Sequence, residues 1–525
     1  MIDTVALREK VLDLAIRGKL VPQDPNDEPA SVLLERIRAQ KQQMVKEGKL
    51  KAKDIKDDSI IFVGEDNLHY EKFANGTVKC IEDEIPFELP EGWSWERLSN
   101  LATFSGGKTP STSNREYWEG DILWVTSKDM KCKYIDSSLL MISEKGLEQM
   151  QLYPENTLLL VTRSGILRHT IPVAILKKPA TINQDLKAIM LYIPNLEEYI
   201  YICIKGMESR LILEYTKAGA TVENINFDAF QKILLPIPPE NQIQRIIDAT
   251  NDIDEVIGKL KNDQEDLIDI IDKTKSKILD LAIRGKLVPQ TPDDEPASEL
   301  LERIRAEKEE LIKQGKIKRD KKESVIFKGE DNSYYEKIGN ETNCIDSEVP
   351  FDLPAEWVWC RGYSCFSGVE TRRPNGDSFK YIDIDSIDNK AHKIKQPKVI
   401  ATKDAPSRAS RALHAGSVLF SFVRPYLENI AYVTEDNKDC IASTGFYVCN
   451  SNGMLYPPFM YYLMISQYVV QGLNQFMKGD NSPSISKDNI ENWLYPIPPF
   501  NEQKLICTKL EELISFISTI EKSLS

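Results

Sequence analysis

Aliphatic residues recur at heptad spacing from Glu240 to Leu281, directly after Pro238-Pro239. One row is Ile243, Thr250, Ile257, Gln264, Ile271 and Ile278, and its companion is Ile246, Ile253, Leu260, Leu267, Thr274 and Leu281. Nine of these twelve positions are aliphatic, so the spacing predicts a long helix with a coiled-coil seam. The prolines stand where a first helical turn tolerates them. Off the seam, ten acidic residues face five basic ones between Glu240 and Lys275, which leaves the seam as the side to be buried. A lone helix cannot bury it, and the partner is predicted in two pieces. The C-terminal stretch after Pro498-Pro499 carries Ile506, Leu510, Leu513, Ile517, Ile520 and Leu524 on the same spacing, and the N-terminus carries Thr4, Leu7, Val11 and Leu14. Written C-terminus then N-terminus, the two pieces imitate Asn241–Leu287. The pattern is that of a closed tandem repeat opened inside one helix, with antiparallel pairing expected.

The repeat extends past the helices. Residues 12–41 and 279–308 agree at 26 of 30 positions. The likeness resumes in IIFVGEDNLHYEK (60–72) and VIFKGEDNSYYEK (325–337), in IPFELPEGWSWERL (85–98) and VPFDLPAEWVWCRG (349–362), and in LLPIPPENQ (234–242) and LYPIPPFNE (494–502). Each copy includes an arm predicted as a helix from Val32 to Lys46 closed by Gly48. The basic run after it, Lys49, Lys51, Lys53 and Lys56, is matched by Lys316, Lys318, Arg319, Lys321 and Lys322. A solvated loop is the plain reading of that run, and a phosphate- or partner-contacting arm the alternative.

Between the frames, residues 99–217 and 363–477 share little. Both alternate short β runs bounded by Gly, Pro and Asn with one closing helix. The first insert is predicted to hold strands at Ile122–Thr126, Thr157–Thr162, Pro172–Leu176 and Leu186–Ile193, then a helix at Leu196–Thr216. The second is predicted to hold strands at Phe379–Ile384, Ser417–Phe422, Ile430–Thr434 and Phe446–Val448, then a helix at Pro458–Met477. The expected fold is α+β. Two mixed, strand-rich domains (85–238 and 349–498) alternate with helical regions (1–84, 239–348 and 499–525) in a circular pseudo-two-fold repeat.

Composition narrows the function classes. The 525 residues carry a net charge of −14, which argues against a non-specific nucleic-acid coat while leaving room for local basic surfaces. No apolar signal region and no apolar run of eighteen residues is present, so a cytoplasmic chain without membrane contact is expected. Nine cysteines include no CxxC, and none of the four histidines stands at metal-ligand spacing to a cysteine; reduced buried thiols and no metal site are expected. Gly106-Gly107-Lys108-Thr109 fails as a phosphate loop because Ala102 occupies the first glycine position. Ile497-Pro498-Pro499-Phe500 lacks the amide that an adenine-methylating motif needs, and its PIPP repeats at the other frame junction. No catalytic constellation and no cofactor motif emerges.

Donor-rich loops do stand out in the inserts. Arg suits guanine edges, Asn and Gln suit adenine, and Ser, Thr and Lys suit phosphates. In the first insert the candidate DNA contacts are Lys108, Thr109, Ser111, Ser127, Lys128, Arg163, Ser164, Arg168, Asn183 and Gln184. In the second they are Arg372, Arg373, Lys393, Lys395, Arg408, Arg411 and Arg424, in and around a stretch where Lys390, Lys393, Lys395, Lys398, Lys403, Arg408 and Arg411 face only Asp388 and Asp404.

The frame LDLAIRGKLVPQ, the stretch SGGKTPSTSNREYWEGDILWVTSKDM (105–130), and Arg163-Ser164-Gly165 with Asn183-Gln184-Asp185 resemble the specificity subunits of type I restriction–modification systems. So do YIDIDSID (381–388), VRPYLENIAYV (423–433) and STGFYV (443–448). The resemblance implies two target recognition domains, each reading one half of an asymmetric bipartite site on double-stranded DNA. It implies a coiled coil that sets the spacer and docks two modification subunits, which methylate adenine, with restriction subunits joining the full complex. The chain itself would be non-catalytic and hold no cofactor. The rival readings are a self-contained DNA methyltransferase or nuclease, which would bind S-adenosylmethionine, and a coiled-coil scaffold that binds protein only.

Overall fold

The computed structural model describes residues 2–217, 222–291, 294–315 and 323–524; the basic run Lys316–Lys322 lies outside them. The chain divides into two compact units that meet at Gln264 and Glu265, inside the long helix Glu240–Ile283.

In the first unit, helix Thr4–Ile16 starts at Asp3, whose carboxylate accepts from the amides of Val5 and Ala6. Its Arg8 pairs with Asp254 at 2.5 Å, while Gln264 donates to the carbonyl of Ile2. The two helices therefore run in opposite senses. Ile243, Ile246, Thr250 and Ile257 are buried along the long helix, and Val11, Ala15 and Ile16 along the short one. In the second unit, the C-terminal helix Phe500–Leu524 buries Ile506, Leu510 and Ile517. Lys275 meets its Glu521 at 2.6 Å and Gln290 donates to its Glu502 at 2.8 Å, again an antiparallel order. Thr274 departs from the predicted seam. It is exposed, and its hydroxyl bonds back to the carbonyl of Ile270.

The arm helices span Ala30–Lys46 and Ala297–Lys313 without a side-chain cap. Their first amides are instead taken by backbone, Ala30 donating to Gly92 and Ala297 to Glu356. Past each arm the chain forms a three-stranded antiparallel sheet where the sequence suggested a helical region. One sheet holds Ser59–Val63, His69–Phe73 and Val78–Cys80, the other Ser324–Lys328, Tyr334–Ile338 and Glu341–Cys344.

The frames repeat contact for contact. Gly18 and Gly285 have φ +64° and +65°, and a Cβ on either would stand 2.6 Å from Pro90 or 2.4 Å from Pro354, so only glycine fits. Arg17 lies over Phe87 at 4.5 Å and Arg284 over Phe351 at 4.3 Å. Arg97 bridges Glu71 and Glu84, and Arg361 bridges Glu336 and Glu348. Burial works against the charge of both arginines, but the carboxylates outweigh it and hold each guanidinium's pKa above its usual value. Each insert opens and closes on one antiparallel strand pair: Ser94–Arg97 with Leu234–Ile237, and Val358–Arg361 with Leu494–Ile497. The entry and exit of a variable domain are thereby pinned at one point.

The first insert forms a five-stranded sheet and a three-stranded one; the second forms a four-stranded sheet and a three-stranded one. All eight predicted insert strands are present within two residues at each end. The two predicted closing helices are each broken in two. Glu197–Gly206 and Glu208–Tyr215 meet at Met207, and Pro457–Met464 is followed by Gln467–Asn474 with Ser466 as N-cap. Apolar periodicity runs through such breaks because both short helices face one core. The thiols are free, but Cys80, Cys132 and Cys344 are exposed where buried ones were expected. Among the described residues, no helix is long and apolar enough to cross a membrane.

Candidate nucleic-acid interface

Both inserts contain the same three-strand core. In the first, Leu158–Val161 lies between Val173–Leu176 and Leu186–Leu191; in the second, Val418–Ser421 lies between Ile430–Tyr432 and Phe446–Cys449. The chain leaves the middle strand through a corner that is hydrogen-bonded alike in both. Thr162 N–H donates to Asp185 O and Phe422 N–H to Gly445 O; Ile225 N–H donates to Thr162 O and Ile485 N–H to Phe422 O; Ser164 N–H donates to Glu223 O and Arg424 N–H to Pro483 O. This register sets Arg163 opposite Val423, and Ser164 opposite Arg424. The exposed arginine is displaced by one residue along the corner, and the backbone differs there: Ser164 is extended, whereas Arg424 is left-handed.

In the first insert the corner gathers loops from distant sequence. A Cβ on Gly107 would stand 2.1 Å from the carbonyl oxygen of Ile182, so the glycine lets the 105–111 loop cross the end of that strand. Lys108 N–H donates to Ile182 O, and Trp124 Nε1 donates to Lys108 O. Thr109 Oγ1 donates to Gln184 at 2.5 Å. Asn183 is buried and exchanges hydrogen bonds with Asp185, which leaves its neighbour Gln184 as the exposed amide. Arg163 is exposed, whereas Arg168 is paired with the buried Glu223. Ser164 caps the short turn Gly165–Arg168 through Ile166 N–H. Ser111 is held against Ser113 and accepts from Trp118 Nε1 through its carbonyl. Lys128 is exposed and Ser127 half-buried, on a turn that Asp129 ties to Thr126.

In the second insert Lys395, Arg408 and Arg424 converge on one concavity of about 830 Å³, which Tyr381, Asp385 and Asn389 also line. Arg424 and Glu428 have φ +47° and +54°, bracketing the turn Pro425–Leu427. Left-handed backbone is costly for such residues and persists where neighbours over-determine it. Here Arg424 Nη2 donates to Asn481 O at 2.9 Å, Asn389 to Leu427 O at 2.8 Å, and Gln467 to Glu428 at 3.1 Å. Lys398 pairs with Asp383 at 2.5 Å; burial raises that carboxyl's pKa, but Lys398 and Ser386 outweigh it and hold it below the usual value. Arg372, Arg373, Lys393 and Arg411 lie outside this concavity. Arg372 N–H bonds Ser410 O beside Arg411, Arg373 is exposed, and Lys393 pairs with Asp388 across two short strands. The acidic and amide members Asp385, Asn389 and Glu223 were not among the sequence candidates. Each stands in a short turn or loop that no sequence motif marks, and only the fold brings it to the corner or the concavity.

Comparison with known proteins gives the family. The family described as "Type I restriction modification DNA specificity domain" matches residues 90–268 and 369–525, well over half of the chain. The chain is 27% identical over 577 aligned positions to the EcoAI specificity subunit of a type I restriction enzyme from Escherichia coli, covering 97% of this chain and 88% of that one. It is 27% identical over 486 positions to the EcoEI specificity subunit from the same species, covering 80% and 73%. The solved HsdS subunit from Thermoanaerobacter tengcongensis is 35% identical across 34% of this chain and 46% of that one, with a TM-score of 0.32. Two copies of one DNA specificity domain, each pinned at the same strand pair of a repeated frame, make this chain a member of the type I restriction–modification specificity subunit family.

Proposed function

We propose that the chain reads one asymmetric, two-part DNA target, with each insert reading one half, and that it is not itself a catalyst. The observation that carries this is the corner common to both inserts: equivalent hydrogen bonds present an exposed arginine one residue apart. Unlike heads on like mounts imply unlike half-sites, whereas identical heads would read a palindrome. Lys108, Thr109, Ser111, Ser127, Lys128, Arg163 and Gln184 are assigned to the first half-site, with Asn183, Ser164 and Arg168 shaping that loop cluster. Lys395, Arg408 and Arg424 are assigned to the second, with Arg372, Arg373, Lys393 and Arg411 beside it as phosphate contacts. The helices are proposed to pair as a coiled coil that sets the spacer between half-sites and docks two modification subunits. Restriction subunits complete the assembly. The domain limits proposed are 85–238 and 349–498 for the heads, with helical regions at 1–84, 239–348 and 499–525.

The test is to exchange residues 99–217 for the insert of a relative and to map methylated sites in cells that also express the modification subunit. One half of the motif should change and the other stay. A motif that changes in both halves, or in neither, would falsify the modular reading.

A further inference from the structure

Among the described residues, the three-stranded sheet past each arm has a second face that stays largely exposed. Register puts Ile60, Phe62, Tyr70, Lys72, Val78 and Cys80 side by side on the first sheet. The same positions on the second hold Val325, Phe327, Tyr335, Lys337, Thr342 and Cys344. Phe62 is 41% exposed and Phe327 43%, with Ile60 and Val325 at 44% and 36%. The rings stack alike, Phe62 on Tyr70 at 5.9 Å and Phe327 on Tyr335 at 6.0 Å. Each tyrosine hydroxyl donates 2.8 Å to an aspartate of the adjoining turn, Asp66 or Asp331. On the first sheet this makes an open groove of about 410 Å³, lined by Phe62, Tyr70 and Val78 with Glu65 and Asp66 at its rim, while Lys72 stands farther along the same face between Ile60 and Val78. An apolar patch rimmed by polar groups marks a protein contact.

Neighbouring positions have diverged between the copies, Val63 against Lys328 and Leu68 against Ser333. The aromatic pair, the lysine, the cysteine and the acidic turn have not. Two copies of one face fit two copies of one partner. The charge fixes its chemistry: a carboxylate rim beside stacked rings suits a lysine or arginine that lies over the rings, flanked by apolar side chains.

We infer that these two sheet faces each dock one copy of the modification subunit, through a basic residue flanked by apolar ones. The inference rests on the proposed function, in which two such subunits join the chain.

The cysteines supply the test. Cys80 and Cys344 lie on the faces, while Cys132 is exposed elsewhere. The full chain, alone and mixed with its modification subunit, is treated with a small maleimide, and each cysteine is followed by mass spectrometry. Cys80 and Cys344 should be protected in the complex and Cys132 should not. Phe62→Asp should weaken one of the two docking events about thirtyfold, Phe327→Asp the other, and native mass spectrometry should count one modification subunit in place of two. Both phenylalanines are exposed, and a circular dichroism spectrum like that of the unaltered chain checks that the sheet persists. A complex of unchanged stoichiometry and affinity, with Cys80 and Cys344 as reactive as in the free chain, overturns the docking inference and leaves the proposed function standing. No complex at all with the unaltered chain overturns both.

Discussion

The two frames and the two inserts of this chain obey opposite rules. Between the frames, contacts recur with distances that differ by little: Arg97 and Arg361 reach their buried glutamates at 2.7 and 2.8 Å. Between the inserts, only backbone hydrogen bonds recur, and the side chains they present differ. In the frames, where each junction recurs, side chains are kept. In the inserts, the backbone scaffold is kept and the side chains are free. The one-residue offset of Arg163 against Arg424 is the clearest case: Arg424 stands at the place of the extended Ser164 with left-handed backbone.

The comparison can be broken most severely at the buried ion pairs. Arg97→Leu and Arg361→Leu each leave buried carboxylates without a counter-charge, and each should cost its own half about 3–5 kcal/mol. Urea unfolding of the two variants should show matched losses; a half that tolerates the change would end the equivalence of the frames. A smaller and one-sided loss is expected from Gly107→Ala. Its Cβ would meet backbone at 2.1 Å, and about 1–3 kcal/mol of overpacking should fall on the first insert alone. Hydrogen exchange should then rise in the 105–111 and 182–185 loops.

Weaker still for stability, but sharper for function, are the corner arginines. Arg163→Ala and Arg424→Gly should each relax one base position, in different halves of the motif, by about 1–3 kcal/mol of discrimination. Arg424→Gly should not lower the melting temperature, since glycine relieves a left-handed residue of about 1–2 kcal/mol. Selection from random duplex pools by the assembled complex reads this out, and relaxation at the same position by both variants would refute the offset.

The smallest effect separates the frames from each other. Trp93 Nε1 donates to Gln242, while Trp357 Nε1 donates at the equivalent place to Glu502. Burial pushes the Glu502 carboxyl above its usual range, and the bonds from Trp357 and Gln290 only partly oppose that. A raised carboxyl pKa means the contribution to stability is present below the ordinary glutamate value and is lost as pH rises through the folded-state value. Glu502→Gln should flatten that decline and gain about 1 kcal/mol near neutral pH. Gln242→Glu should introduce the decline into the first half. Melting curves at pH 5 and pH 8 decide it, and an unchanged pH slope in both variants would remove Glu502 as its source.

Much of this was legible in the sequence. The repeat predicted the paired frames, and heptad spacing predicted the helix Glu240–Ile283, because both signals are written in strict periods. The eight insert strands were legible from β-branched runs between Gly, Pro and Asn. The sheets at 59–80 and 324–344 were not, since strands so short give alternation little length in which to show beside a long, charged arm helix. Asn183 reads as a base contact by type, and its engagement with Asp185 in a turn is a tertiary detail that residue type does not reveal. Asp385 and Asn389 reach the second concavity only through tertiary contacts, which no local pattern encodes.

The near-identity of residues 12–41 and 279–308 has a genetic consequence. Stretches that alike invite recombination, and a crossover between them deletes the first head together with the long helix. The shortened chain keeps the short helix Thr4–Ile16, one arm, the second head and the helix Phe500–Leu524. In the intact chain those two helices pack on opposite halves of Glu240–Ile283, the element just lost. Phe500–Leu524 imitates the first half of that element, so within one shortened chain it could pack on Thr4–Ile16 as residues 240–264 do in the intact one. One deletion would thus turn a chain of two units into a single closed unit that carries the second insert alone.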